Sequence, residues 1–149
     1  MMLQLAMVGL GGAIGSIFRY LMQRWLNPVA GGAPAHTDAG TAGSSLARIT
    51  AEPSFWSAFP LGTFMVNVIG GLLIGVLFSL SAKMGPQAET IRLFGMTGIM
   101  GGFTTFSTFS LESIELLKAN KPGLFFAYVA GSVVVCLLAA FIGIKLIRS

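Results

Sequence analysis

The residues with the clearest capacity for chemistry lie in one segment, residues 95–113, which reads GMTGIMGGFTTFSTFSLES and is uncharged up to its single acidic residue, Glu112. Its glycines and hydroxyl residues make a poor continuous helix, so we expect the helix to break near Gly101 to Thr104. Unwound backbone at membrane depth is tolerated only where it is buried in protein or lines a watery cavity, and its freed carbonyls then serve as ion ligands. The segment therefore predicts a small cation held by main-chain oxygens.

Phenylalanine recurs at every third position of this segment, at 103, 106 and 109. Such an aromatic stripe usually belongs to a core. The edge of an aromatic ring nevertheless carries positive potential, so rings presented edge-on beside hydroxyl donors can coordinate an anion without a fixed charge. Hydroxyl residues lie beside the second and third rings: Ser107 and Thr108 stand between Phe106 and Phe109, and Ser110 follows Phe109.

A primary amide stands near the middle of an otherwise apolar run. Asn67 shares one helical face with Gly71 and Gly75 and must find hydrogen-bond partners there. Two interpretations stay open: an interhelical hydrogen bond, or a pathway residue whose NH2 group donates to an anion.

Two GxxxG pairs predict close helix packing. They are Gly11 and Gly15 in the first apolar run, and Gly71 and Gly75 in the second. Small residues at this spacing let two helix backbones approach closely in a membrane, so we expect a compact bundle.

A second polar face follows near the C-terminus. Tyr128, Ser132 and Cys136 are spaced four residues apart, so they stack on one side of a helix. Serine and cysteine in membrane helices often bond back to their own turn, which makes each alone weak evidence. Together with the hydroxyls of residues 107–110, the face predicts a ladder of donors for a dehydrated anion.

The elements that position these groups are membrane helices. Only 9% of the 149 residues are charged and mean hydropathy is high, whereas a soluble domain carries about 25% charge. Crossing the hydrocarbon takes roughly 20 residues. Four charge-poor runs come near that length, which predicts one all-α domain over residues 1–149 with four transmembrane helices, the third broken: residues 1–18, 61–82, 93–111 and 122–144.

The basic residues give no preferred orientation in the membrane. Four spans put both termini on one side, with 4 of the 9 Lys and Arg residues there and 5 on the other: Lys83, Arg92, Lys145 and Arg148 against Arg19, Arg24, Arg48, Lys118 and Lys121. Orientation is set by a Lys/Arg imbalance, which is missing here. We therefore predict dual topology and an antiparallel homodimer.

Other features limit the function class. Residues 27–59 form a Gly/Ala/Ser-rich loop without periodicity, which predicts little order. The scattered basic residues do not fit a nucleic-acid surface. Neither a His–carboxylate nor a Cys–His pair is evident, so we do not expect an enzyme.

The motifs GGAIGSIFRY, GTFMVNVIGG and GGFTTFSTFS resemble the Fluc or CrcB family of fluoride channels. The resemblance covers roughly residues 5–28 and 60–146. It implies a four-helix subunit, an antiparallel homodimer with two fluoride pathways, and a central sodium ion (Na+) between the broken third helices. It also implies a multi-pass protein of the bacterial plasma (inner) membrane that passively exports fluoride and lowers its cytoplasmic concentration.

Roles follow from the resemblance by motif position. Asn67, Phe106, Ser107, Thr108, Phe109, Ser110, Tyr128 and Ser132 would form the fluoride pathway. The carbonyls of Gly101 and Thr104 would bind sodium. Arg19 and Glu112 resemble vestibule or structural charges, and Arg19 is equally compatible with an interface anchor. Cys136 departs from the family because it stands where a serine would continue the polar track.

The alternative is a proton-coupled exporter of the small multidrug-resistance type, also a four-span protein with weak charge bias. That chemistry needs a carboxylate embedded in the membrane. The first, second and fourth runs contain no Asp or Glu, and Glu112 follows the third. The sequence therefore favours the channel.

Overall fold

The computed structural model describes residues 1–26 and 59–148, and the ordered elements in these ranges are all helical. Three helices are long and apolar enough to cross a membrane. They are α1 (Met2–Leu26), α2 (Leu61–Lys83) and α5 (Pro122–Arg148). Between α2 and α5 lie a short 3₁₀ turn (Gly85–Gln87), helix α3 over residues 88–103, and α4 (Phe106–Lys118).

Helix α3 is built from three segments with two hydrogen-bonding patterns. A turn of α-helix (Ala88–Thr90) leads into a π-helical stretch (Ile91–Met100), and a last α-helical turn (Gly101–Phe103) closes it. The widened pattern is visible at Gly101, whose N–H donates to the carbonyl of Met96, five residues back.

The predicted third span is interrupted where the sequence indicated a break. Helix α3 ends at Phe103 and α4 begins at Phe106, with Thr104 and Thr105 in extended conformation between them. Because of this break, residues 93–111 do not form one long rod.

Glycine stripes bring the helices into pairs. A Cβ atom at Gly11 of α1 would lie 2.6 Å from the carbonyl oxygen of Phe94 in α3. A Cβ atom at Gly71 of α2 would lie 2.9 Å from that of Cys136 in α5. The GxxxG pair of α1 therefore lets this helix approach α3 closely, and the GxxxG pair of α2 does the same for α5.

The connection between α4 and α5 is a tight Schellman turn. Asn120 adopts a left-handed conformation (φ 56°) and its N–H donates to Leu117 O at 3.0 Å. The N–H of Lys121 donates to Leu116 O at 3.0 Å. These bonds satisfy the last carbonyls of α4, and Pro122 then opens α5.

The second helix has the predicted bounds to within one residue, but the other helices are longer than predicted. The first continues past Arg19 to Leu26, the helices around the break extend from residue 88 to 118, and the last helix runs to Arg148. A charged residue near a membrane surface need not end a helix, because its head group can reach the interface. The predicted loop at residues 27–59 lies outside the described residues except for Phe59.

Candidate functional site

The helix break is held open by a side chain from another helix. The N–H of Thr105 donates to Asn67 Oδ1 at 2.9 Å, and Asn67 Nδ2 donates to the carbonyl of Thr105 at 3.1 Å. One amide of α2 thus satisfies both main-chain groups of an extended residue that is only 5% exposed. This is the interhelical hydrogen bond considered for Asn67, and its second amide N–H can still donate elsewhere.

The side chain of Thr105 begins the next helix. Its hydroxyl oxygen accepts from the N–H of Thr108 at 3.2 Å, which is an N-cap of α4. The same hydroxyl donates to Thr108 Oγ1 at 2.9 Å and lies 3.3 Å from Ser107 Oγ. The hydroxyls predicted at 107 and 108 are therefore gathered at the N-terminus of α4.

The break brings two helix ends of opposite polarity together. The C-terminal end of a helix carries a partial negative charge and the N-terminal end a partial positive charge. The end of α3 at Phe103 thus favours a cation, and the start of α4 at Phe106 favours an anion. The segment offers both without a charged side chain of its own.

The two residues predicted to bind a cation flank the end of α3. Gly101 is exposed and Thr104 is half-buried. The carbonyl of Thr104 accepts from Arg19 Nη1 at 3.3 Å. The guanidinium of Arg19 in α1 therefore contacts the backbone of the break itself, whichever of its predicted roles applies.

A row of aromatic rings leads inward from the break. Phe106 is 79% exposed on the protomer, and its ring centroid lies 5.5 Å from that of Phe109 at an interplanar angle of 41°. The ring of Phe109 in turn lies 5.2 Å from that of Tyr128, which is fully buried. The predicted ring pair thus runs from the surface of the protomer to its interior.

A hydrogen-bond chain joins four helices beside these rings. The carboxylate of Glu112 accepts from Tyr128 Oη at 2.8 Å and from Thr63 Oγ1 at 3.0 Å. Gln23 Nε2 extends the chain by donating to Thr63 Oγ1 at 3.2 Å. Glu112 is therefore a hydrogen-bonded group at the junction of α1, α2, α4 and α5.

The remaining predicted hydroxyls differ in their partners. Ser110 Oγ donates to the carbonyl of Phe106 at 2.9 Å, the local back-bonding common in membrane helices. Ser132 Oγ is buried and has no hydrogen-bond partner among the described residues. An orphan hydroxyl in a buried setting is uncommon and needs a ligand or water to complete it. Cys136, one turn further on, is half-buried.

Sequence reasoning did not single out Thr105, Thr63 or Gln23. Thr105 carried a usable signal, since threonine is among the residues preferred at the N-cap of a helix and it directly follows the expected break near Gly101 to Thr104. The other two carried none, because their contacts depend on how α1 and α2 pack.

The comparisons with known proteins agree with these features. The family described as "CrcB-like protein, Camphor Resistance (CrcB)" matches residues 6–144. A protein of Agrobacterium fabrum named "Fluoride-specific ion channel FluC" is 38% identical over 148 residues, which cover 99% of this chain and 98% of that protein. Proteins of the same name from Rhizobium meliloti and Phocaeicola vulgatus are 38% and 37% identical over 96% of this chain, covering 94% and 97% of theirs. The chain therefore belongs to the CrcB family.

Proposed function

We propose that this protein is a passive, fluoride-selective ion channel that exports fluoride and lowers its cytoplasmic concentration. The observation that carries the proposal is the broken helix, with the Phe106–Phe109 ring pair at the N-terminus of α4, in a chain whose relatives are named fluoride-specific channels. Fluoride is a small, tightly hydrated anion, so a selective path must replace its water with close donors.

The fluoride pathway follows the neutral donors around the rings. Its proposed members are Asn67, Phe106, Ser107, Thr108, Phe109, Ser110, Tyr128 and Ser132. Ser132 is the member that the contacts support most directly, because its buried hydroxyl has no partner in the described part of the chain. Conduction also requires release, which neutral dipoles permit more readily than a fixed buried charge.

The functional unit is proposed to be an antiparallel homodimer. The ring of Phe106 and the backbone of Gly101 are exposed on a single protomer. Irregular backbone does not face lipid, because lipid cannot satisfy its polar groups. A second copy packed on this face would shield the ring of Phe106 and the break from lipid. The even distribution of basic residues favours an inverted orientation for that copy.

A sodium ion is proposed at the centre of that dimer. The donor set fits, because the carbonyls of Gly101 and Thr104 are neutral, hard oxygens at an interrupted helix and at its negative dipole end. Each protomer supplies two oxygens, so two copies would supply a set of them around one ion. When bound, the ion supplies a positive charge that holds the two breaks together.

The membrane arrangement is proposed to have four spans. Helices α1, α2 and α5 each cross alone, and α3 and α4 cross as two halves of one span. The membrane is proposed to be the bacterial inner membrane. The exporter of the small multidrug-resistance type is not favoured, because the relatives carry the name of fluoride channels.

The test is ion efflux from liposomes that contain the purified protein. A fluoride electrode should record rapid release of fluoride, and a chloride electrode should record none. Phe106→Ile and Phe109→Ile should each abolish the fluoride flux, whereas Phe78→Ile, an exposed ring on α2, should retain it. Chloride release equal to fluoride release, or full flux in both ring variants, would refute the proposal.

A further inference from the structure

We infer that Thr105 and Asn67 are positioning residues that build the main-chain cation site by diverting hydrogen bonds away from Gly101 and Thr104. The inference rests on the proposed sodium ion. It assigns the two residues a task that does not require either of them to touch the cation or fluoride.

The first diverted bond frees the carbonyl of Gly101. In an α-helix a carbonyl accepts from the N–H four residues later, which for Gly101 is that of Thr105. That N–H donates instead to Asn67 Oδ1 at 2.9 Å. The oxygen of Gly101 is thereby left available at the exposed end of α3 because an amide of α2 holds its usual donor.

The second diverted bond frees the carbonyl of Thr104. Its helical partner would be the N–H of Thr108, which donates to Thr105 Oγ1 at 3.2 Å. Thr104 itself stays attached to α3, since its N–H and its hydroxyl both donate to Met100 O, at 3.0 and 2.9 Å. Its carbonyl is therefore released while its position is kept.

Both changes in hydrogen bonding involve Thr105, one through its N–H and the other through its hydroxyl, and Asn67 holds that residue in place. The carbonyl of Thr105 accepts from Asn67 Nδ2 at 3.1 Å. The side-chain amide of Asn67 therefore pairs with both the N–H and the carbonyl of Thr105. A leucine at 67 would leave the N–H of Thr105 without its buried partner. We expect that N–H to donate to the carbonyl of Gly101 instead, as in a continuous helix, because buried main-chain groups strongly favour pairing.

The oxygen of Thr104 has one further contact. Arg19 Nη1 donates to it at 3.3 Å, and a carbonyl oxygen has two lone pairs. The guanidinium and a cation can thus share this oxygen, but their like charges oppose each other. Thr105 and Asn67 create the site, and Arg19 limits how tightly it holds a cation.

The experiment measures how sodium shifts thermal unfolding of the purified full-length protein in detergent. Sodium chloride replaces N-methyl-D-glucamine chloride at constant ionic strength, and the sodium concentration at half of the full shift is recorded. Asn67→Leu and Thr105→Val should each raise that concentration by about tenfold or more, as expected for the loss of a buried hydrogen bond. Thr105→Ser keeps the hydroxyl and should restore the wild-type value.

Gln23→Leu is the matched control for the amide. Its hydrogen bond ends on Thr63, away from the break, so its sodium dependence should equal that of the wild type. Wild-type sodium dependence in both Asn67→Leu and Thr105→Val would overturn this inference and leave the sodium proposal intact. No sodium shift in the wild type would overturn both, and fluoride efflux from the same preparation would still test the channel separately.

Discussion

Replacement of Gly15 by alanine should separate α1 from α3 just before the break. A Cβ atom at this position would collide with the carbonyl oxygen of Ile99 and would lie 2.8 Å from the main-chain nitrogen of Phe103. Both obstacles are backbone atoms, which cannot rotate away as a side chain can. The helices must move apart, and the movement falls on the last residue of α3.

The matched control is Gly9→Ala on the same helix, where the added Cβ meets nothing within 4 Å. Each substitution gains helix propensity of about 1 kcal/mol relative to glycine. That gain is common to both variants and cancels in the comparison. The remaining difference in the free energy of unfolding is the overpacking at Gly15, about 1–3 kcal/mol.

The assay is unfolding of both variants by sodium dodecyl sulfate in mixed micelles, followed by fluoride efflux from liposomes. We expect Gly9→Ala to be at least as stable as the wild type and to conduct normally. Gly15→Ala should be less stable than Gly9→Ala by the amount above and should lose efflux, because the shift reaches Thr104 and Thr105. Equal stability of the two variants would refute the close approach of α1 and α3.

Three further substitutions test the site. Ser132→Ala should not lower the free energy of unfolding, because it removes a buried hydroxyl that has no partner among the described residues. It should slow fluoride efflux, and unchanged efflux would exclude the hydroxyl from the pathway. Tyr128→Phe removes the donor to Glu112 and should lower the free energy of unfolding by about 1.5–3 kcal/mol, the range for hydrogen bonds to charged groups, whereas an unchanged unfolding transition would contradict that bond. Arg19→Met removes the positive guanidinium that shares Thr104 O with the proposed sodium ion and repels it. The sodium concentration at half of the full thermal shift should therefore fall, and a rise would count against the site.

The sequence predicted the break and the close helix contacts because both depend on local residue types. Glycine and threonine weaken a helix wherever they occur, so the interruption near Gly101 to Thr104 could be anticipated and is found at Thr104 and Thr105. The GxxxG pair of Gly71 and Gly75 likewise indicated a close helix contact, which the structure places against α5.

The sequence could not predict which helices would meet. The chain from Gln23 through Thr63 to Glu112 joins residues 40 and 49 positions apart, and no local pattern relates them. Asn67 illustrates the same limit. Its amide required partners on physical grounds, but only the packing of α2 against the break makes Thr105 that partner. The π-helical stretch of α3 was not predicted either, because residue propensities describe the α-helix and carry no signal for this rarer pattern.

The arrangement explains how one neutral segment can serve ions of both signs. A continuous helix satisfies its own main-chain groups and offers its partial charges only at distant ends. A break at Thr104 and Thr105 moves two such ends into the middle of the span, with released carbonyls on the α3 side and N–H groups on the α4 side. A fixed charge on this segment would bind a counter-ion tightly and slow its release, whereas dipoles hold it more weakly. The guanidinium that reaches the break comes from α1, and it donates a hydrogen bond to the carbonyl of Thr104. The break also needs an amide at 67, because an ionised carboxylate in place of Asn67 could accept from the N–H of Thr105 but could not donate to its carbonyl.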